Sequence, residues 1–488
     1  MGLLGWQPGQ KSSELMSCKP NILWICTDQQ RFDTIGALGN PHVITPNIDT
    51  LVRQGSALER AYCQSPICTP SRSSFLTGVY PSTARANRNG NDAFSGAYPL
   101  VTRILADNGY TCANIGKLHL SSPFRRAERR ADDGYEVFEY SHAPRDDWAE
   151  GHAYADWVRE QRHTLSELQR QPEGIPAELH QTTWATDRAI DFMGARTANP
   201  WLLTLNIYDP HPPFNPPEDY RSLFDPANMP GPHFKDSDLA AQARLGSIDF
   251  QSRPMSPEAL DIHDPVRSSA NHRNAHYLQA AYYAMIKLID DNIGRLLEAL
   301  EALGLTDNTV VIFTSDHGET LGDHGLIEKG CRFYEGLVRV PLIWRWPGHV
   351  RADTRSDALV ELLDLAPTLL DFAGIDVPAY MQGCSLRPLL EGRTAAYQEK
   401  TYVRSEYYDA LDLPDASRAT MIRTDRYKLV VYHGHGIGEL FDLDRDPWEH
   451  NNLWDDEVHA TLRSELVRLS FDATVATFDH GSERVGPY

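Results

Sequence analysis

Cys68-Thr69-Pro70-Ser71-Arg72 places a thiol two residues ahead of a proline and four ahead of an arginine. Pro70 fixes its own φ and has no N–H, which suits the first turn of a helix. Ser71 to Leu76 can continue that turn, and Gly78 can end it. Cys68 then faces the positive end of the helix dipole with Arg72 one turn on, where a group that carries or meets negative charge belongs. Taken alone, a buried free cysteine at the start of a core helix is the plainer reading. Other residues weigh against it. Asp28 and Asp316 each follow an apolar run, Ile22–Cys26 and Thr309–Phe313. Two carboxylates brought together at one sheet edge must share a proton or a cation. Gln29 adds a neutral oxygen and His317 an imidazole nitrogen. A second, basic set consists of Arg72, Lys117, His119, His211 and Lys329, with Lys117 and His119 on one side of an extended segment. One cationic pocket beside a metal would bind a tetrahedral oxyanion.

These residues need a scaffold that turns strand ends toward one another. Ile22–Cys26, Thr111–Ile115, Trp201–Ile207 and Thr309–Phe313 read as strands, mostly continuous apolar runs of the kind buried on both faces. Helices are expected from Pro46 to about Leu51, over 100–108, and from about Tyr277 to Gly304, where apolar residues recur at steps of three and four. The alternation predicts an α/β fold with a mixed, mostly parallel sheet flanked by helices. Ligands bind such sheets at the carboxyl ends of the strands. Composition changes near Gly392, so 21–392 is expected as the catalytic unit and 393–488 as a smaller α+β domain. The latter would carry antiparallel strands at 428–432 and 439–444 and a helix at 462–469. Residues 1–20 read as an extension. The Trp-rich insertion 142–163 could line a glycan site or form a solvated lid, and 209–233 is Pro-rich.

A net charge of −21 over 488 residues argues against general binding to nucleic acid or to an anionic membrane. It does not exclude an anionic small substrate, because charge is screened beyond roughly 8 Å. The seven cysteines are dispersed without a CxxC pair, which resembles neither a disulfide framework nor a zinc site. No run approaches the roughly 20 apolar residues of a membrane span. The first residues lack a signal-peptide pattern, and a cytoplasmic protein is expected.

Cys68-Thr69-Pro70-Ser71-Arg72 with Leu76-Thr77-Gly78 resembles the signature of the type I sulfatases of the alkaline phosphatase superfamily. GKLHL (116–120), TSDHGETLGDHG (314–325) and ELFDLDRDPWEHNNL (439–453) resemble further blocks of that family, in the same order. The resemblance runs from about Asn21 to Leu453 and implies an alkaline-phosphatase-like fold. It also implies that a formylglycine-generating enzyme oxidises Cys68 to Cα-formylglycine. One hydroxyl of the hydrated aldehyde attacks sulfur, and the other lets the adduct collapse and expel sulfate. By the same resemblance Asp28, Gln29, Asp316, His317 and modified Cys68 hold one divalent metal, and Arg72 steadies the nucleophile. Lys117 and Lys329 bind sulfate oxygens. His119 takes the proton on collapse, and His211 or Lys329 protonates the leaving oxygen. Asn89 contacts the nucleophile or a sulfate oxygen.

Many members carry Asp-Asp where this chain has Asp28-Gln29, and Asn where it has His317. Calcium prefers oxygen and imidazole favours manganese or zinc. The resemblance nevertheless implies calcium first, with manganese second. The same variants occur in choline-sulfatase-like enzymes and in phosphonate monoester hydrolases. The resemblance therefore implies hydrolysis of a carbohydrate, aryl or small alkyl sulfate, with phosphonate or phosphodiester hydrolysis as the alternative. The Lys117-x-His119 pair separates them, since phosphonate hydrolases carry neutral hydroxyl residues there. No nucleic-acid or membrane partner is expected, and a homo-oligomer stays open.

Overall fold

The computed structural model describes residues 19–478 apart from 125, 149, 172, 196–198, 247, 249–274 and 412–416. Residues 1–18 of the expected extension and the tail beyond 478 lie outside the described residues. The main sheet has nine strands: β1 Asn21–Thr27, β2 Ser56–Tyr62, β3 Thr111–Gly116, β4 Val137–Tyr140, β5 Trp201–Ile207, β6 Thr309–Ser315, β7 Arg339–Val340, β8 Leu342–Arg345 and β9 Thr354–Glu361. Their order is β4-β3-β5-β1-β6-β8-β2-β7, with β9 also paired to β2. The pairs β4-β3-β5-β1-β6 are all parallel, while β8 runs antiparallel to both β6 and β2.

Strand β1 shows why this sheet is covered on both sides. Successive side chains of a strand point to opposite faces. Ile22, Trp24 and Cys26 join one buried cluster with Phe75 and Leu76 of helix α1 (Cys68–Thr77). Leu23 and Ile25 join another, with Trp184 and Ala189 of α2 (Gln181–Gly194) and Ile289, Ile293 and Leu296 of α3 (Ala275–Ala302). The first cluster also takes in Leu365 and Leu369 of α4 (Leu365–Phe372). Each fully buried aliphatic side chain contributes roughly 1.5–3 kcal/mol.

Strands β2, β4, β7, β8 and β9 were not expected from the sequence. SALERAY of β2 is rich in helix formers, yet it pairs with β7, β8 and β9, so tertiary pairing overrides local propensity. Beyond residue 400 an antiparallel sheet runs in the order β10 (Tyr402–Tyr408), β11 (Arg418–Thr424), β12 (Tyr427–Tyr432) and β13 (Ile437–Asp442). Strand β13 stops at Asp442 rather than 444, and the last helix, α5 (Ala460–Ala476), is longer than expected. One face of this sheet adds Val403, Met421 and Val430 to the cluster under the main sheet, and the other packs Ile422 and Leu429 on Leu466 of α5. Buried Lys428 of β12 bridges Glu335 and Glu449, at 2.7 Å each, which ties the two sheets together. Among the described residues no helix is long and apolar enough to cross a membrane, and the described cysteines are free thiols.

Candidate active site

Parallel pairing brings four strand ends level: Thr27 of β1 lies opposite Ile207 of β5 and Ser315 of β6, and Gly116 of β3 lies opposite Asn206. The residues that follow are Asp28, Lys117, Tyr208 and Asp316. Gly116 is required at its position. Its φ is +102°, and a Cβ there would lie 1.9 Å from the Asn206 carbonyl oxygen. Gln29 and His119, at φ 69° and 58°, are held in the left-handed region that side chains rarely occupy, which fits strain concentrated at a functional site.

Helix α1 enters this edge end-on. Its first residue, Cys68, is buried, with Sγ 2.9 Å from Lys329 Nζ, 3.2 Å from His317 Nε2, 3.7 Å from Lys117 Nζ and 3.9 Å from Asp28 Oδ1. Donor atoms of Asp28, Cys68, Asp316 and His317 all lie within 4.8 Å of one another. Lys117 Nζ pairs with Asp28 Oδ2, and Lys329 Nζ donates to Gln29 Oε1 at 2.7 Å. Arg72 donates from Nε to Asp316 Oδ2 at 2.8 Å and from Nη1 to the Lys117 carbonyl at 2.7 Å. Its Nη2 has no hydrogen-bond partner among the described residues.

Burial alone would push the Asp28 carboxyl and the Cys68 thiol up, but Lys117 and its cationic neighbours outweigh it and hold both well below their ordinary values. For His119, burial and then Lys117 act in the same direction and bring the imidazole down to about 4. It is therefore neutral near pH 7, and its Nδ1 has no partner among the described residues. Asn89 Oδ1 accepts from Thr69 N at 2.9 Å and so caps the helix beside Cys68. Asn89 and His211 are half-buried, whereas the other nine residues expected at the site are buried, so the site opens to solvent on their side. His211 packs its ring 4.8 Å from Tyr208. All eleven residues expected from the sequence thus gather at this edge or its rim.

Three neighbours were not anticipated. Asn206, the polar end of β5, accepts from Arg72 Nη1 at 3.2 Å. Glu319 accepts from Gln29 Nε2, and Glu128 accepts from His119 N at 2.9 Å. Asn206 had a signal, a polar residue one position before the end of β5, whereas Glu319 lies four residues past β6 inside the TSDHGETLGDHG block and Glu128 lies in a loop, neither with a strand-end signal. The 142–163 segment is anchored on one side and exposed on the other: Trp148 and His152 are buried and His152 Nδ1 caps helix Ala153–Glu160, while 159–163 are exposed.

The donor set fits a divalent cation. Two carboxylates and an imidazole lie close to one sulfur, the amide oxygen of Gln29 is held nearby through Lys329, and exchanging that sulfur for oxygen would leave a mostly oxygen shell. The chain matches the sulfatase family model over residues 20–375 and the model for the C-terminal part of N-sulphoglucosamine sulphohydrolase over residues 322–472. It is 32% identical to an arylsulfatase of Clostridium perfringens, over 92% of this chain and 94% of that protein. It is 28% identical to an N-acetylglucosamine-6-O-sulfatase of Bacteroides thetaiotaomicron, over 92% of this chain and 85% of that protein. Among solved structures, the phosphonate monoester hydrolase of Agrobacterium radiobacter superposes with a TM-score of 0.80 at 26% identity, covering 94% of this chain and 96% of that one. By its sequence, its fold and the residues gathered around Cys68, the chain belongs to the sulfatase family.

Proposed function

We propose that this sulfatase hydrolyses sulfate monoesters, with Cys68 matured to Cα-formylglycine by a formylglycine-generating enzyme. One observation carries the reading: two buried ammonium groups, Lys117 and Lys329, converge on the same sulfur that faces His317 and Asp28. Once residue 68 is a neutral aldehyde hydrate, Arg72, Lys117 and Lys329 face only two carboxylates, and that excess of positive charge suits an anionic ester head. The hydrated aldehyde would supply the nucleophilic oxygen, and a cation held by Asp28, Gln29, Asp316, His317 and residue 68 would supply Lewis acidity. The family resemblance favours calcium first, and the imidazole of His317 keeps manganese second.

The remaining roles fall to this chain's own side chains. Lys117 and Lys329 offset the charge of the sulfate oxygens. His119, neutral through burial, has a free nitrogen to accept a proton. His211, half-buried at the mouth, or Lys329 would protonate the leaving oxygen. Arg72 holds the Asp316 carboxylate and the Lys117 carbonyl in register. Asn89 fixes the helix start at Thr69. The named sugar sulfatase among the relatives supports a sulfated sugar as substrate.

A second reading, phosphonate monoester hydrolysis, is favoured by the Agrobacterium structure. The Lys117-x-His119 pair speaks against it, because by the family resemblance phosphonate hydrolases carry neutral hydroxyl residues at those positions. The test is kcat/KM for matched sulfate, phosphodiester and phosphonate esters of one alcohol. Sulfate is expected to be the best substrate, and a phosphonate preference would replace this reading with the second.

A further inference from the structure

Beside the catalytic centre lies a cavity of about 480 Å³, within the range that holds small ligands. His142, Tyr208 and Trp148 form its inner wall, and Phe124, Arg145 and Asp147 stand toward its rim. It shares its inner wall with the active site. The His142 ring meets His119 edge-on at 4.7 Å and lies 5.8 Å from Tyr208, which in turn touches His211.

His142 is an unusual group to find there. Its carbonyl accepts from Gln181 Nε2 at 2.7 Å, and the next carbonyl, of Ala143, accepts from His152 Nε2 at 3.1 Å, so its backbone is fixed. Both of its ring nitrogens are nevertheless buried without a hydrogen-bond partner among the described residues. Such groups normally carry a cost of about 1–3 kcal/mol. A half-turn about Cβ–Cγ exchanges each nitrogen with a ring carbon at no expense in protein hydrogen bonds. Burial, then Lys117, His119 and His211, keep the ring uncharged, so it offers one donor and one acceptor.

We propose that this cavity seats the leaving alcohol, that it takes a neutral or acidic polyhydroxylated alcohol such as a sugar ring, and that His142 hydrogen-bonds one of its hydroxyls. The proposal rests on the sulfate-ester chemistry assigned to the adjoining centre. A quaternary ammonium alcohol fits poorly. It needs open aromatic faces, but Lys117 Nζ already stands 5.3 Å over the Tyr208 ring, and Trp148 is stacked on Tyr140. The same ammonium would repel a second cation. A plain aryl alcohol would fill the space and leave His142 unpaired. At the rim, Arg145 forks onto Asp147 with bonds of 3.0 and 2.5 Å, which presents a donor and an acceptor side by side to neighbouring hydroxyls.

The experiment compares kcat/KM on 4-nitrophenyl sulfate with that on N-acetylglucosamine 6-sulfate, galactose 6-sulfate and glucuronic acid 2-sulfate. It is run for the wild type, His142→Ala and His142→Gln, all carrying the matured residue 68. His142→Ala is expected to cost roughly a hundredfold on the best sugar ester but less than about threefold on the aryl ester, because a site built for a hydroxyl penalises loss of its partner. His142→Gln, which keeps a donor and an acceptor, should restore at least about tenfold of the sugar activity. Equal losses on both esters would mean that His142 is only a wall, and no loss on either would remove it from the site. Turnover of the aryl ester alone would overturn the polyol assignment. If the wild type prefers phosphonates, the sulfatase reading fails separately, and the same alcohol comparison is read with phosphonate esters.

Discussion

Two buried clusters in this protein use the same residue types and differ in what they leave unspent. One is Asp28, Cys68, Asp316 and His317; the other is Asp238, His324 and His450. In both, the candidate donor atoms lie within 4.8 Å of one another. In the second, the carboxylate is already committed. His450 Nδ1 reaches both Asp238 oxygens, at 3.1 and 3.0 Å, and Lys235 N donates to Oδ2 at 2.8 Å. The His324 ring stacks on Tyr334 with centroids 3.8 Å apart. That cluster binds the helix Asp236–Leu245, the turn at 323–325 and the loop after β13 to one another. Around Cys68, by contrast, three cations press on two carboxylates and a thiol, and nitrogens of Arg72 and His119 remain without partners among the described residues. Nearness of donors is common to both. Surplus charge and idle donors distinguish the place where a ligand belongs.

If that distinction holds, substitutions at the two clusters should separate activity from stability. Asp316→Asn should remove the bound cation and lower kcat/KM by on the order of a thousandfold or more, since it takes one of only two anionic ligands. Metal analysis and kinetics on one preparation check this, and a metal-loaded, active variant would break the comparison. Lys117→Ala and His119→Ala should each lower kcat and kcat/KM together by roughly a hundredfold, with the metal retained.

His450→Ala should do the reverse. It leaves Asp238 short of a partner, so folding stability should fall by about 1–3 kcal/mol in a urea titration. Metal content should stay at one cation per chain and kcat within about threefold of the wild type. Loss of a second equivalent of metal would show that the two clusters are alike after all. The smallest effect on turnover is expected at Glu128, whose carboxyl burial pushes up to about 8. The folded state then holds a proton that the unfolded chain releases near pH 4.5, so stability falls as pH rises from about 4.5 to about 8. Glu128→Gln mimics the protonated form. It should flatten that slope in melting temperatures measured across the range, with little change in turnover.

Much of the first cluster was legible in the chain, because its residues follow strands whose apolar runs announce themselves. Asp28 after Ile22–Cys26 and Asp316 after Thr309–Phe313 could be placed at one edge by the parallel-sheet rule alone. The specific sulfatase motif then tied Cys68, Lys117 and Lys329 to that edge. What stayed hidden depends on tertiary pairing. The strand β2 is written in helix formers, and its place beside β9 follows from contacts made some 300 residues apart. His142 gave no signal either. It is one histidine in a polar insertion, and its significance lies in two buried nitrogens that no spacing rule can foresee. The second cluster was equally silent, since Asp238, His324 and His450 come from three separate segments.

The most direct test of the account lies in Cys68→Ser. Serine offers one hydroxyl at the helix start where the matured cysteine would offer two. Mixed with 4-nitrophenyl sulfate, the metal-loaded variant should release one equivalent of nitrophenol and then stall. Peptide mass analysis should find one sulfo group, at position 68 and nowhere else. Sustained turnover by the variant, or a sulfo group at another residue, would contradict the assignment of Cys68 as the nucleophile's source.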